Sequence, residues 1–361
     1  MEPRGKPQAK GRGAEGDPPN RFIATHLEET FEDREHDEDL LADRRVVPTE
    51  FLPDNSRTII RENDSPDIPF RYSINAYRGC EHGCAYCYAR PTHETLGLGA
   101  GLDFETKVLV KHDAAALLRH ELGRSGWRCE TIVMSGVTDC YQPAERRFSL
   151  TRALLEVMNE ANQPVGIITK NALVLRDLDL LAPMAARRLA HVYLSVTTLD
   201  ADLARSLEPR TSSPAAKLAA IRTLSDAGVP VGVMTAPIIP GLNDHETPAI
   251  LAAAREAGAR SAGYVLLRLP LNVEPVFRQW LATHLPDKQA RIEGLIRSTR
   301  QGKLNESQFG RRMRGHGEYA AQIARNFTVF RRKHGLDQPL PELDCSQFRP
   351  PRSPSGQMML F

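Results

Sequence analysis

No run of about eighteen consecutive apolar residues occurs in this chain of 361 residues, which excludes a hydrophobic membrane-spanning helix. The first twenty residues lack the apolar centre of a secretory signal, so the chain is expected in the cytoplasm, without a membrane partner and with reduced thiols. No block recurs at a fixed period, which removes solenoids and propellers. Net charge is scarce at +2. Cysteine is scarce too, with six residues, and no second C-x2-C pair completes the arrangement common in structural zinc sites. What is present is ordinary for a folded enzyme. Hydrophobic residues make up 41% and charged residues 25%, enough for a large core and unlike disordered, collagenous or coiled-coil chains. The length suits one domain with extensions, or two domains.

The small net charge hides an uneven distribution. Residues 28–43 hold nine acids against one base, Arg34, whereas residues 291–334 hold eleven Lys and Arg against three acids. The basic half suits an anionic partner or a solvated helical face. Residues 1–45 and 341–361 read as unstructured tails, the first acidic and the second broken by Pro341, Pro350, Pro351 and Pro354. Residues 46–270 read as the core and 271–340 as a basic helical extension.

Within the core, short apolar runs at 131–135, 165–169, 191–196, 231–236 and 263–267 read as parallel strands covered on both faces. Amphipathic segments separate them. After Ser149, a candidate N-cap, Leu150, Ala153, Leu154, Val157, Met158 and Ala161 share one helical face. Ser213-Pro214 and Thr247-Pro248 open two further helices, and Gly228 and Gly258 close them. Repeated β-then-α units predict a parallel α/β sheet, as a barrel or as an open doubly wound sheet. Gly97, Gly99 and Gly101 lack the spacing and the preceding strand of a dinucleotide loop and read as a flexible loop.

Three of the six cysteines fall in Arg78-Gly79-Cys80-Glu81-His82-Gly83-Cys84-Ala85-Tyr86-Cys87-Tyr88, spaced C-x3-C-x2-C. A loop this short can wrap three thiolates around one metal centre, with Gly79 and Gly83 easing the turns. Zinc would need a fourth ligand such as His82 or His93; an iron–sulfur cluster would leave one iron open. A disulfide suits three close cysteines in a reducing compartment poorly.

This spacing, with an aromatic before the last cysteine and a βα array after it, resembles the radical S-adenosylmethionine (radical SAM) superfamily. The resemblance implies a partial (β/α)6 barrel. It implies a [4Fe–4S] cluster on Cys80, Cys84 and Cys87 whose open iron takes S-adenosylmethionine, an electron donor, and hydrogen abstraction by a 5′-deoxyadenosyl radical. It also places Ser135, Gly136, Thr138 and Asp139, then Ser195, then Glu208 and Arg210, around the cofactor, and the turn 237–241 beside adenine. Asn75-Ala76-Tyr77-Arg78-Gly79 leading into Cys80, Tyr86-Cys87-Tyr88-Ala89-Arg90-Pro91-Thr92-His93 following, and Asp139-Cys140-Tyr141-Gln142-Pro143-Ala144-Glu145 resemble the spore photoproduct lyase-like, or DNA repair photolyase-like, group. That narrower resemblance implies lyase chemistry on DNA, with Cys140, Tyr141 and Tyr88 as candidate hydrogen carriers. With the flanking Asp aligned, Gly136 and not Cys140 falls at the lyase's donor position.

Two further stretches suit a nucleic-acid setting. Phe309-Gly310-Arg311-Arg312-Met313-Arg314-Gly315-His316-Gly317 combines guanidiniums with glycine backbone suited to phosphate. The terminal Gln357, Met358, Met359, Leu360 and Phe361 resemble the peptide that binds the bacterial replication sliding clamp. The alternatives are a radical enzyme acting on RNA or protein, and a zinc-stabilised nucleic-acid adaptor without catalysis.

Overall fold

The computed structural model describes residues 9–23 and 47–352. The acidic run 28–43 and the clamp-like Gln357 to Phe361 lie outside the described residues. The strands are β1 (Glu50–Pro53), β2 (Ile60–Glu62), β3 (Tyr72–Ile74), β4 (Tyr77–Arg78), β5 (Lys107–Val110), β6 (Ile132–Met134), β7 (Val165–Thr169), β8 (Ala190–Ser195), β9 (Val231–Ile238) and β10 (Ser261–Leu266). The α-helices are α1 (Leu102–Thr106), α2 (Ala114–Leu122), α3 (Glu145–Phe148), α4 (Leu150–Ala161), α5 (Leu178–Ala186), α6 (Ala201–Leu207), α7 (Pro214–Asp226), α8 (Thr247–Glu256), α9 (Val273–His284), α10 (Pro286–Ser298) and α11 (Glu318–Lys333).

Seven strands form the main sheet in the order β10-β9-β8-β7-β6-β3-β2. The six from β3 to β10 are parallel, and β2 runs antiparallel along β3. Each new parallel strand adds beside its predecessor, always on the same side. A doubly wound sheet reverses direction at a switch point; this one never does. Right-handed crossovers then place the intervening helices on one face and leave the other concave. This is the order of a partial (β/α)6 barrel, and among the described residues β2 and β10 do not pair to close it. A smaller sheet, β1-β5-β4, carries the cysteine loop at the end of β4.

The apolar runs explain the strands. Val165, Ile167, Val192, Leu194, Val231 and Val233 are essentially inaccessible, and they meet Leu154, Leu155 and Met158 of α4 in one continuous core. Burying such side chains is worth about 2 kcal/mol each. The five expected strands are all present, with ends shifted by up to two residues. The sixth, β3, was not expected, because Tyr72-Ser73-Ile74 is too short to show a pattern and is held by pairing on both sides.

Local expectations divide in an instructive way. Ser213 caps α7, its hydroxyl accepting from Ala216 N at 3.3 Å. Ser149 does not cap α4: its φ is 52°, and the Glu145 carboxylate takes the Thr151 N–H instead at 3.0 Å. The loop of Gly97, Gly99 and Gly101 is tied down, with Gly99 N bonded to Asp103 and Gly101 N to Asp17.

Both expected tails are partly ordered, which corrects the composition argument. Residues 9–23 pack on the core, with Arg12 and Ala14 buried. Residues 344–352 run across the sheet's lower end, with Asp344 N bonded to Arg188 O and Arg349 N to Ala161 O, both at 2.8 Å. Composition sees only how little apolar surface these segments offer. It does not see the carboxylate and carbonyl groups elsewhere in the chain that satisfy their backbone.

Candidate functional site

The cysteine loop is built by close approaches that only glycine permits. Gly79 has φ +86°, and a Cβ there would meet the His93 ring at 2.9 Å. Gly83 has φ +65°, and a Cβ would strike the Glu105 carboxylate at 2.8 Å. Backbone bonds then pin each stretch of the loop: Cys80 N to Phe104 O, Ala85 N to Leu207 O and Cys87 N to Cys84 O. Cys80, Cys84 and Cys87 are free thiols, and all three line one cavity of about 480 Å³. Burial pushes all three thiols above their ordinary value, so a cationic centre must draw off their protons.

Two buried ion pairs hold the loop. Arg90 and Glu105 are both fully buried, with Arg90 Nη2 at 2.5 Å from Glu105 Oε1. The same guanidinium donates to Cys84 O at 2.9 Å and to Gly101 O at 2.8 Å. On another side, Glu208 pairs with Lys217 at 2.8 Å and accepts from the hydroxyls of Tyr86 and Thr197. Burial opposes ionisation of Glu208, but Lys170, Lys217 and the hydrogen bonds outweigh it and hold the carboxyl well below its usual range. Lys170 Nζ lies 3.5 Å from Glu208, donates to Ala236 O at 2.9 Å, and sits over the Tyr86 ring.

The cavity opens at the C-terminal ends of the parallel strands, where barrels of this kind build their sites. Of the residues singled out from the sequence, Ser135, Gly136, Asp139, Ser195 and Tyr88 line it with the three cysteines. Asn75 Oδ1 holds the turn after β6 by accepting from Val137 N and Thr138 N. Asp139 accepts from Thr169 Oγ1 and Lys170 N and faces His82 Nδ1 at 3.5 Å. Pro237 also reaches the cavity.

The remaining candidates lie elsewhere. Thr138 is buried and donates to Tyr77 O. Glu208 and Arg210 stand behind the loop, the latter 3.2 Å from Glu81. Cys140 and Tyr141 belong to the hydrophobic core, with the Tyr141 hydroxyl on Asp177 at 3.1 Å. Sequence reasoning missed Lys170, Arg268, Glu105 and Lys217. Each is a lone charged residue in its own stretch, and only folding shows its partner.

The donor set separates cluster from zinc. Among the described residues no group of three or more His, Cys, Asp or Glu side chains converges as a single ion requires. His82 Nε2 is taken by Asn171 at 3.2 Å, and His93 Nε2 lies 2.9 Å from Lys107 O. Three thiols lining one cavity, with no fourth donor converging on them among the described residues, fit a cuboidal cluster that takes one thiolate on each of three irons.

Comparison with known proteins agrees. Residues 74–254 match the family model described as the Radical SAM superfamily. An uncharacterized protein of Mycobacterium tuberculosis is 40% identical over 232 residues, covering 64% of this chain and 68% of that one. An uncharacterized protein of Methanocaldococcus jannaschii is 33% identical over 178 residues, covering 49% and 63%. Spore photoproduct lyase, solved with a dinucleoside spore photoproduct, has the same fold at a TM-score of 0.57 and 16% identity, over 79% of each chain. With half of its length matched by the family model and its thiols arrayed for a three-cysteine cluster, this chain belongs to the radical S-adenosylmethionine superfamily, whose members use a [4Fe–4S] cluster and S-adenosylmethionine.

Proposed function

We propose that the chain abstracts hydrogen from a nucleotide unit of nucleic acid, with DNA as the leading substrate. The cluster and S-adenosylmethionine supply the abstracting radical, with Cys80, Cys84 and Cys87 as the ligands and Ser135, Gly136, Asp139 and Ser195 beside the cofactor.

One observation carries the substrate reading. Arg268 and Arg314 line the cavity, and neither has an ion-pair partner among the described residues. Neighbouring Arg312 is neutralised by Asp67 at 2.6 Å. The Arg268 guanidinium lies over the Tyr88 ring, and that of Arg314 lies 4.3 Å from the centre of the Tyr264 ring. Arg268 Nε is buried without a hydrogen-bond partner. An orphaned donor of this kind costs free energy unless a ligand satisfies it. A phosphate oxygen fits a guanidinium fork, and the neighbouring aromatic rings suit a base. The dinucleoside bound by spore photoproduct lyase is of the same chemical class.

Hydrogen return falls to Tyr88 in this reading: its O–H bond breaks, the hydrogen atom passes to the substrate radical, and the tyrosyl radical left behind takes one electron from the electron donor and one proton from solvent. Among the described residues, the only thiols on the cavity are the three ligands. Tyr88 donates its hydroxyl to Gly136 O at 2.9 Å, at the position where the sequence resemblance places the lyase's donor.

The test is anaerobic reconstitution followed by assay of 5′-deoxyadenosine with lesion-bearing DNA, intact DNA, RNA and peptides. DNA-dependent formation, with a KM raised about tenfold by Arg268→Gln, supports the proposal. Products from RNA or peptides alone would replace it.

A further inference from the structure

We propose that residues 9–23 form a strap belonging to the cluster site, clamping the cysteine loop through Glu105 and shielding it from solvent. The inference rests on the cluster alone and stands whichever substrate is bound.

The strap meets the loop at its tightest point. A Cβ on Gly13 would lie 1.7 Å from Gly83 O and 3.1 Å from Ala85 N, the two residues flanking Cys84. No other residue type fits this approach without moving the loop. Gly13 N and Ala14 N donate to the two oxygens of Glu105 at 3.0 and 2.9 Å. Arg12 donates to Glu105 O at 2.9 Å and to Thr49 Oγ1 at 2.9 Å, and Thr49 in turn donates to Glu81 at 2.7 Å, the residue after Cys80. A continuous chain of bonds therefore runs from the strap through Glu105 and Arg90 to Cys84 O.

The strap's outer half is anchored as well. Asp17 accepts from Gly101 N and Asp103 N, Asn20 donates to Glu94 O and Leu98 O, and Arg21 pairs with Glu94 at 3.0 Å. None of residues 9–23 lines the cavity, so the strap covers the loop from outside it and leaves the substrate route open. Local opening of such a segment exposes the loop without unfolding the sheet.

The test compares the full chain, Gly13→Ala, and a chain lacking residues 1–23, all reconstituted anaerobically. Iron and sulfide content, thermal midpoint, and decay of the cluster's visible absorbance in air are measured. Arg119→Ala, which breaks an ion pair with Glu160 on helices α2 and α4, is the stability control. The expected result is cluster loss in air about tenfold faster for Gly13→Ala, the effect of weakening one hydrogen bond to a buried charge. The shortened chain should lose it faster still, while Arg119→Ala keeps the normal lifetime at a similar midpoint. Should the shortened chain fail to fold, Gly13→Ala decides alone. A Gly13→Ala lifetime equal to that of the full chain, or one matched by Arg119→Ala, would overturn the proposal.

Discussion

The cysteine loop rests on two buried carboxylates that do different work. Glu105 is fully buried against Arg90 and holds backbone, both that of the strap and, through Arg90, that of Cys84. Glu208 is buried against Lys217 and holds side chains, Tyr86 and Thr197. In each case several donors surround the charge, which is what makes a desolvated pair tolerable. The contrast separates loop shape, set at Glu105, from the loop's wall, set at Glu208.

Removing the cation on the first side should have the largest effect. Arg90→Leu strands Glu105 and leaves the carbonyls of Cys84, Ala100 and Gly101 without their donor, a loss of about 4 kcal/mol. Thermal midpoint and iron content should fall together; a variant that keeps full iron content would break the assignment of loop shape to this pair.

Glu208→Gln should come next, at about 3 kcal/mol, because Lys217 then stays buried without its counter-charge. Here stability should fall more than iron content does. The pH dependence sharpens this. The folded carboxyl is held below its ordinary value of 4.5, so its contribution is complete above that value and is lost as the pH drops below it. The thermal midpoint of Glu208→Gln should therefore decline less steeply below pH 4.5 than that of the unaltered chain. Parallel acid limbs would show that Glu208 is not the group responsible. Tyr86→Phe should be the smallest change, about 1 kcal/mol, because Glu208 keeps Thr197 and Lys217. Midpoint and iron content measured together would show whether the ring alone sustains the wall.

Legibility followed distance along the chain. Five strands were visible because each is an apolar run complete in itself, whereas β3 depends on neighbours at β2 and β6. The cysteine spacing and the turn after β6 were visible because loop and turn are local. Ser149 shows the limit at short range: a correct residue type for a cap was displaced by Glu145, which reached the helix first. For Glu208 and Arg210 the local motif does not reveal their partners, Lys217 and Glu81, which the fold brings up from other segments.

The sequence by itself determined the α/β alternation and the three-thiol loop, because hydrophobic periodicity and ligand spacing are properties of neighbouring residues. Only the tertiary structure decided which charges meet. Gly13 reaches Glu105 across 92 positions, and Arg268 and Arg314 reach one cavity from separate segments. Desolvation makes such partnerships strong, and desolvation exists only once the chain has packed.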